Sequence, residues 1–256
     1  MMQQSGLGRI PGLRTDWQAG KATFGAWSSI PSAATIEVLC VAGIRYVCLD
    51  QQHGFFDDPT LVDGFRAIER CGVVPLTRVA MNAGWMIGKA LDAGAQGVIV
   101  PLVESGADAA AAVAACRYPP RGQRSYGPTR AQLFNKPQTS QGFEDVLCFV
   151  MIETARGLAN VDEIAGTPGI DGIYIGPSDL ALALGGARPG GPELPLLQEP
   201  IEQIAAACRR NDIVAGIHCN DGASAGRFAQ RGFKLITCFK DTTLIANAAL
   251  RELANI

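Results

Sequence analysis

Two histidines occur in the 256 residues of this chain. One of them, His53, sits in "CLDQQHGFFDD" (48–58), where an apolar run gives way to polar and charged residues. An imidazole moves protons near neutral pH when a neighbour fixes its tautomer, and Asp50 is close enough in sequence to do so. The alternative, a histidine that caps a loop, stays open on this spacing alone. Two carboxylates also end apolar runs, Glu153 in "MIET" and Asp179 in "GPSDL". With no thiolate or imidazole beside them, they suit a hard divalent ion such as Mg²⁺ or Mn²⁺, leaving coordination positions for water and a chelating substrate. Zinc would normally recruit more histidine or cysteine. The competing reading pairs Glu153 with an arginine and makes Asp179 a helix cap.

The turn Gly176-Pro177-Ser178-Asp179 places backbone N–H groups at a helix start, where a substrate carboxylate could rest while its keto oxygen meets the metal. Arg78 is a fixed positive charge that would serve a developing enolate, or else an ion pair at the mouth of the fold. His218, in "GIHCND", reads as structural, and Cys219 beside it is the one thiol of interest.

These groups need a scaffold that brings distant positions together. Eight short apolar runs, "TFGAWSS", "RYVCLDQQ", "VPLTRVA", "GVIVPLV", "CFVMIET", "GIYIGPS", "IVAGIHC" and "FKLITCF", read as strands. Each is followed by a stretch of helical period, from "SAATIEVLCVAG" behind the first to "TTLIANAALRELAN" behind the last. The fifth is followed by "ARGLANVDEIAG", and the sixth by a short "DLALALG" and then "EPIEQIAAACRRN". No linker divides the βα units, so the expected architecture is α/β, a single-domain (β/α)8 TIM barrel over 1–256. A doubly wound sheet is the alternative, but no Gly-rich turn follows the first strand. Barrel enzymes gather their chemistry at the C-terminal ends of strands, where Asp50, Arg78, Glu153, Asp179, His218 and Lys240 all fall. Segments 119–146 and 185–198 exceed ordinary connections and read as lids or interface arms.

Composition excludes other classes. A chain 48% hydrophobic and 18% charged is not disordered. A net charge of −2 without a basic run argues against nucleic acid and anionic membrane surfaces. No apolar stretch approaches about 18 residues and the N-terminus lacks an apolar signal region, so a soluble, cytoplasmic protein is expected. The eight cysteines form no CxxC pair and sit mostly in apolar runs, as buried reduced thiols do.

Taken in order, "GAW" (25–27), "LDQQHG" (49–54), "TRVA" (77–80), "ALDAGAQGVIVPLVES" (90–105), "RYPPRGQRSYGP" (117–128), "MIET" (151–154), "GIYIGPSDLALALG" (172–185) and "DTTLIANAA" (241–249) span nearly the whole chain. Their joint pattern resembles the HpcH/HpaI family, metal-dependent class II pyruvate aldolases acting on 2-keto-3-deoxy acids. The resemblance implies reversible aldol cleavage of a 4-hydroxy-2-oxo acid to pyruvate, or hydroxypyruvate, and an aldehyde. It implies Glu153 and Asp179 as ligands of Mg²⁺ or Mn²⁺, with Co²⁺ a further candidate. The Gly176-Pro177-Ser178-Asp179 turn matches the helix start that holds the pyruvate carboxylate. Arg78 matches the arginine that steadies the carbonyl and the enolate, and His53 with Asp50 the dyad that moves protons. Trp27 and the 121–129 loop fall where relatives shape the aldehyde pocket. Relatives are typically hexamers, trimers of dimers that exchange a C-terminal helix.

Three residues depart from the pattern. Gln52 stands where several relatives carry glutamate, Met151 where some carry glutamine, and Lys240 where a close relative has valine. They leave open the acceptor aldehyde and any preference for pyruvate over hydroxypyruvate. A malyl-CoA-type lyase is an alternative, but no basic cluster for CoA phosphates is evident. A Schiff-base aldolase needs a desolvated lysine, and none of Lys21, Lys89, Lys136, Lys234 and Lys240 lies on the sixth strand. A non-catalytic metabolite-binding barrel would not need the complete set Asp50, His53, Arg78, Glu153 and Asp179.

Overall fold

The computed structural model describes residues 12–134, 145–187 and 189–256. Eight parallel strands, β1 (Thr23–Ser28), β2 (Tyr46–Asp50), β3 (Val74–Arg78), β4 (Gly97–Val100), β5 (Leu147–Ile152), β6 (Gly172–Ile175), β7 (Val214–His218) and β8 (Leu235–Lys240), close into a barrel in chain order. The expected (β/α)8 architecture is present. The helices are α1 (Leu13–Gln18), α2 (Ala33–Cys40), α3 (Asp58–Arg70), α4 (Gly84–Ala93), α5 (Gly106–Cys116) and the one-turn α6 (Ala131–Phe134). They continue with α7 (Ala155–Ala159), α8 (Val161–Ala165), α9 (Pro177–Ala183), α10 (Gln198–Arg210), α11 (Gly222–Gln230) and α12 (Asp241–Leu253). Among the described residues no helix is long and apolar enough to cross a membrane.

The strands are apolar almost throughout because both faces are covered. Val47, Leu49, Val98, Val150, Ile173 and Ile236 face outward and pack beneath the helices. Tyr46, Leu76, Ile99, Phe149 and Tyr174 fill the interior. Space there is tight enough that Gly25 cannot be enlarged: a Cβ would stand 2.5 Å from the ring of Tyr46.

Two departures from the sequence reading have tertiary causes. Helix α1 lies in what the sequence offers only as a lead-in; it is too short to display a period. Its Leu13 and Trp17 join the interior cluster, Trp17 meeting Phe149 edge-on at 5.7 Å. The indole Nε1 donates to Thr23 Oγ1 at 3.0 Å and to the Lys234 carbonyl at 3.1 Å. The expected single helix over "ARGLANVDEIAG" breaks at Asn160 into α7 and α8, where the Asn160 side chain donates to the Glu104 carbonyl at 2.7 Å.

Asp241, at the start of α12, fastens the end of β8 to the turn after β1. It is fully buried and accepts from Ser28 Oγ at 2.8 Å, Ser29 N–H at 2.8 Å and Ile30 N–H at 2.9 Å. Of the two long segments, 185–198 packs against α11: Glu193 accepts from Arg227 at 2.7 Å and from Ser224 Oγ at 2.9 Å. Part of 119–146 lies outside the described residues; before it, Arg124 donates to Asp92 at 2.6 Å and Arg130 to Glu69 at 2.5 Å.

Candidate active site

The strand ends meet in a cleft of about 160 Å³ at the C-terminal mouth of the barrel. Its electrostatic anchor follows from register. Asp50 and Arg78 are Cα partners on β2 and β3, so their side chains rise together. Arg78 donates to Asp50 through Nε at 2.9 Å and Nη2 at 2.6 Å, a two-point contact that fixes both planes. Trp27 Nε1 donates to the same carboxylate at 3.1 Å, and the Trp27 ring lies 5.0 Å beneath the guanidinium carbon. Burial alone would raise the Asp50 carboxyl; the bonds and charge of Arg78, aided by Trp27, outweigh it and hold the group below the usual carboxylate range.

The expected Asp50–His53 dyad takes a different form here. Asp50 Oδ1 accepts the backbone N–H groups of Gln52 at 3.1 Å and His53 at 3.2 Å. Asp50 therefore shapes the loop that carries His53, not the tautomer of its ring, because its oxygens are already engaged by Arg78, Trp27 and these amides. The His53 side chain is exposed at the rim and lines the cleft.

Across the mouth stands Glu153, 2% exposed. Its Oε1 accepts the Leu102 N–H at 2.8 Å. Its Oε2 is buried without a hydrogen-bond partner. Burial pushes this carboxyl up; the Leu102 N–H and Arg78 oppose that, while the charges of Asp179 and Asp50 add to it. A buried anionic oxygen without a donor is costly unless a cation meets it. Gly176 leaves the room, since a Cβ there would stand 2.7 Å from Glu153 Oε2. Asp179, exposed on the first turn of α9, lines the same cleft with Pro177 and Ser178. An orphaned Glu153 oxygen, an adjacent carboxylate and no third His, Cys, Asp or Glu among the described residues fit a hard divalent ion completed by water and substrate oxygens.

The wall formed by β1, β6 and β7 is aromatic. Trp27 stacks on Tyr174 at 5.6 Å, and His218 meets Trp27 edge-on at 5.1 Å. Tyr174 Oη lies 2.6 Å from Thr237 Oγ1 and 3.5 Å from His218 Nδ1. The His218 imidazole is held down to about 4, first by burial and then by Arg78 and Lys240, so it is neutral at physiological pH. Cys219 is fully buried and its thiol is pushed up to about 12, which makes it an inert core residue.

All nine residues singled out for the site by sequence, Trp27, Asp50, His53, Arg78, Glu153, Gly176, Pro177, Ser178 and Asp179, come to this mouth. The 121–129 loop does not line the cleft of a single chain; Arg124 holds it near the C-terminal end of α4. Two contributors have no sequence signal. Leu102 acts through its main chain, with φ at +55°, a strained conformation for a leucine that aims its N–H at Glu153. Tyr174 reads as one more apolar strand residue and turns out to brace Trp27.

The fold and site define a barrel enzyme whose mouth pairs a cation-ready carboxylate site with a fixed arginine. The model of the HpcH/HpaI aldolase/citrate lyase family matches residues 23–248. A hydroxypyruvate/pyruvate aldolase of Rhizorhabdus wittichii is 35% identical over 244 residues, covering 95% of this chain and 97% of the relative. A 5-keto-4-deoxy-D-glucarate aldolase of Salmonella newport is 35% identical over 226 residues, 87% of this chain and 88% of the relative. The crystal structure of a family protein from Burkholderia cenocepacia superposes with a TM-score of 0.85 at 31% identity, covering 92% of this chain and 95% of that one. The chain belongs to the HpcH/HpaI aldolase/citrate lyase family and is a carbon–carbon lyase. Enzymes of this family generally depend on a divalent metal.

Proposed function

We propose that the protein catalyses reversible aldol cleavage of a 4-hydroxy-2-oxo acid to pyruvate or hydroxypyruvate and an aldehyde, with Mg²⁺ or Mn²⁺ held by Glu153 and Asp179. The observation that carries the reading is the buried, partnerless Oε2 of Glu153 facing the same cleft as Asp179 and Arg78. A divalent cation bound there supplies Lewis-acid polarisation of the 2-oxo group. The amides at the start of α9, at Ser178 and Asp179, receive the substrate carboxylate. Arg78 commits Nε and Nη2 to Asp50 and keeps Nη1 for the oxygen that becomes the enolate. Asp50 is a poor base, with Arg78 and Trp27 bonded to it, so His53 takes the 4-hydroxyl proton at the rim. The C3–C4 bond breaks, its electron pair passes into the enolate, the aldehyde leaves, and a proton is returned to C3.

Names of relatives support both donors, since one relative is a hydroxypyruvate/pyruvate aldolase. We read the enzyme as cytoplasmic and as an oligomer, a trimer of dimers. The α12 residues Leu244, Ile245, Leu250 and Leu253 are 41–67% exposed, an apolar face that suits exchange with a second copy. Light scattering on the purified chain tests the assembly.

The decisive experiment compares wild type with Glu153→Gln by thermal unfolding with EDTA, Mg²⁺ or Mn²⁺, alongside aldol addition of pyruvate and hydroxypyruvate to small aldehydes. Glu153→Gln removes a buried charge, so the EDTA-treated variant should melt no lower than wild type. It should also lose metal stabilisation, which for wild type at a hundredfold excess over Kd is about 2.7 kcal/mol. An undiminished metal shift in the variant would refute the site. Lys240 in the cleft gives the Schiff-base route a candidate amine, and borohydride with pyruvate distinguishes it: no reduced adduct is expected.

A further inference from the structure

Seven of the eight cysteines are buried, and Cys71 is exposed. Cys71 caps the C-terminal end of α3, and Cys40 is the last residue of α2, the helix packed beside it. In a parallel barrel the helices run back against the strands, so both residues lie at the end opposite the mouth. The chain turns there on left-handed glycines, Gly43 at φ +75° and Gly72 at +70°. It enters β2 and β3 at one level, Tyr46 beside Val74. The two corners bring the thiols of Cys40 and Cys71 into hydrogen-bonding contact, one at the surface and the other 8% exposed at the edge of the core. A second pair, Cys116 and Cys148, also shares a thiol hydrogen bond, but both residues are fully buried. Access from solvent separates the two pairs.

We propose that Cys40 and Cys71 form a modification site, a dithiol that a low-molecular-weight disulfide such as glutathione disulfide converts into an intramolecular disulfide tying α2 to α3. The thiolate of exposed Cys71 attacks the reagent, forming a mixed disulfide and releasing one small thiolate. Cys40 then gives its proton to solvent, and its sulfur attacks that of Cys71. The Cys40–Cys71 bond forms and the second small thiolate leaves. Two protein thiols lose two electrons in all, and the reagent is reduced to two thiols. The Cys40 thiol is pushed up to about 12, first by burial and then by Cys71 beside it, and the mixed disulfide removes the second of these influences before Cys40 must react. The loop closed by the bond, roughly 30 residues long, carries β2 with Asp50 and the turn of His53, so the crosslink removes freedom from the unfolded chain across that unit. The bond forms at the far end of the barrel and leaves the cleft as it is. The pair lies outside the aldolase machinery, and its test is independent of that reading.

The test incubates the reduced full-length protein with glutathione disulfide at pH 8, then denatures it and blocks free thiols with N-ethylmaleimide. Two of the eight thiols should escape alkylation. Mass spectrometry without reductant should find tryptic peptides 22–45 and 71–78 joined through Cys40 and Cys71. The crosslinked form should melt about 5–15 °C above the reduced one, and dithiothreitol should reverse the rise. Cys71→Ser, at an exposed position, should fold as wild type does and show neither the link nor the rise. Cys40→Ala should stop at a mixed disulfide on Cys71. In wild type, a mixed disulfide that persists on Cys71, a bond between two copies or a link through any other cysteine overturns the pairing, as does a protein that keeps all its thiols. A Cys40–Cys71 bond that leaves the melting temperature unmoved overturns the stabilising tie between α2 and α3.

Discussion

Replacing Arg78 with methionine isolates the energetics at the centre of the mouth. Asp50 is fully buried and accepts from Arg78 twice, at 2.9 and 2.6 Å, from Trp27 at 3.1 Å and from two backbone amides at 3.1 and 3.2 Å. In Arg78→Met the three neutral donors remain but the counter-charge is gone. Breaking one side of a buried ion pair costs about 3–5 kcal/mol, because the surviving charge is left uncompensated. The pH dependence reverses as well. In wild type the Asp50 carboxyl is held below its ordinary 3.8, so it contributes stability that is present above that value and lost as pH falls through its folded one. Without Arg78, burial dominates and the folded value rises above 3.8; the group then destabilises at neutral pH and is relieved as acid protonates it. Guanidinium unfolding at pH 8 and pH 5 should show the penalty of Arg78→Met shrinking by about 1–3 kcal/mol at the lower pH. Adding Asp50→Asn should recover about 2 kcal/mol at pH 8, since it deletes the orphaned charge. A penalty equal at both pH values, with the double variant no better than Arg78→Met alone, would show that the pair does not carry the energy assigned to it.

Three further outcomes follow from the same geometry. Asp241→Ala strands the Ser28 hydroxyl and the Ser29 and Ile30 amides, and should lower unfolding free energy by about 3 kcal/mol; a loss under about 1 kcal/mol would mean the β1 turn is held by something else. His218 should remain neutral down to about pH 4, so that a proton NMR titration shows its ring uncharged between pH 5 and 8; a charge change of that ring in this window would contradict the burial of His218. The Glu153 carboxyl is raised, and a proton competes with the cation for it. Calorimetric Mn²⁺ affinity, followed downward from pH 8, should therefore begin to fall at a higher pH than an ordinary glutamate would give, and an onset no higher than that would count against Glu153 as the ligand.

The sequence by itself determined the barrel and which strand-end residues gather at its mouth. Apolar runs alternating with helical period set eight βα units, and the rule that strand ends face the mouth carried Asp50, Arg78, Glu153 and Asp179 to one place. Those inferences succeed because they depend on periodicity and strand order, which are properties of neighbouring residues. What each side chain touches depends on register and backbone direction, and only the tertiary structure decided that. The one-level alignment of β2 with β3 gave Asp50 to Arg78 and left His53 at the rim, although His53 is the nearer in sequence. A strained φ at Leu102 put a backbone N–H on Glu153, an interaction no side-chain pattern encodes. Closure of β8 against β1 set Lys240 beside Trp27, more than 200 positions away in sequence, and so turned a departure from the family pattern into a charge inside the cleft.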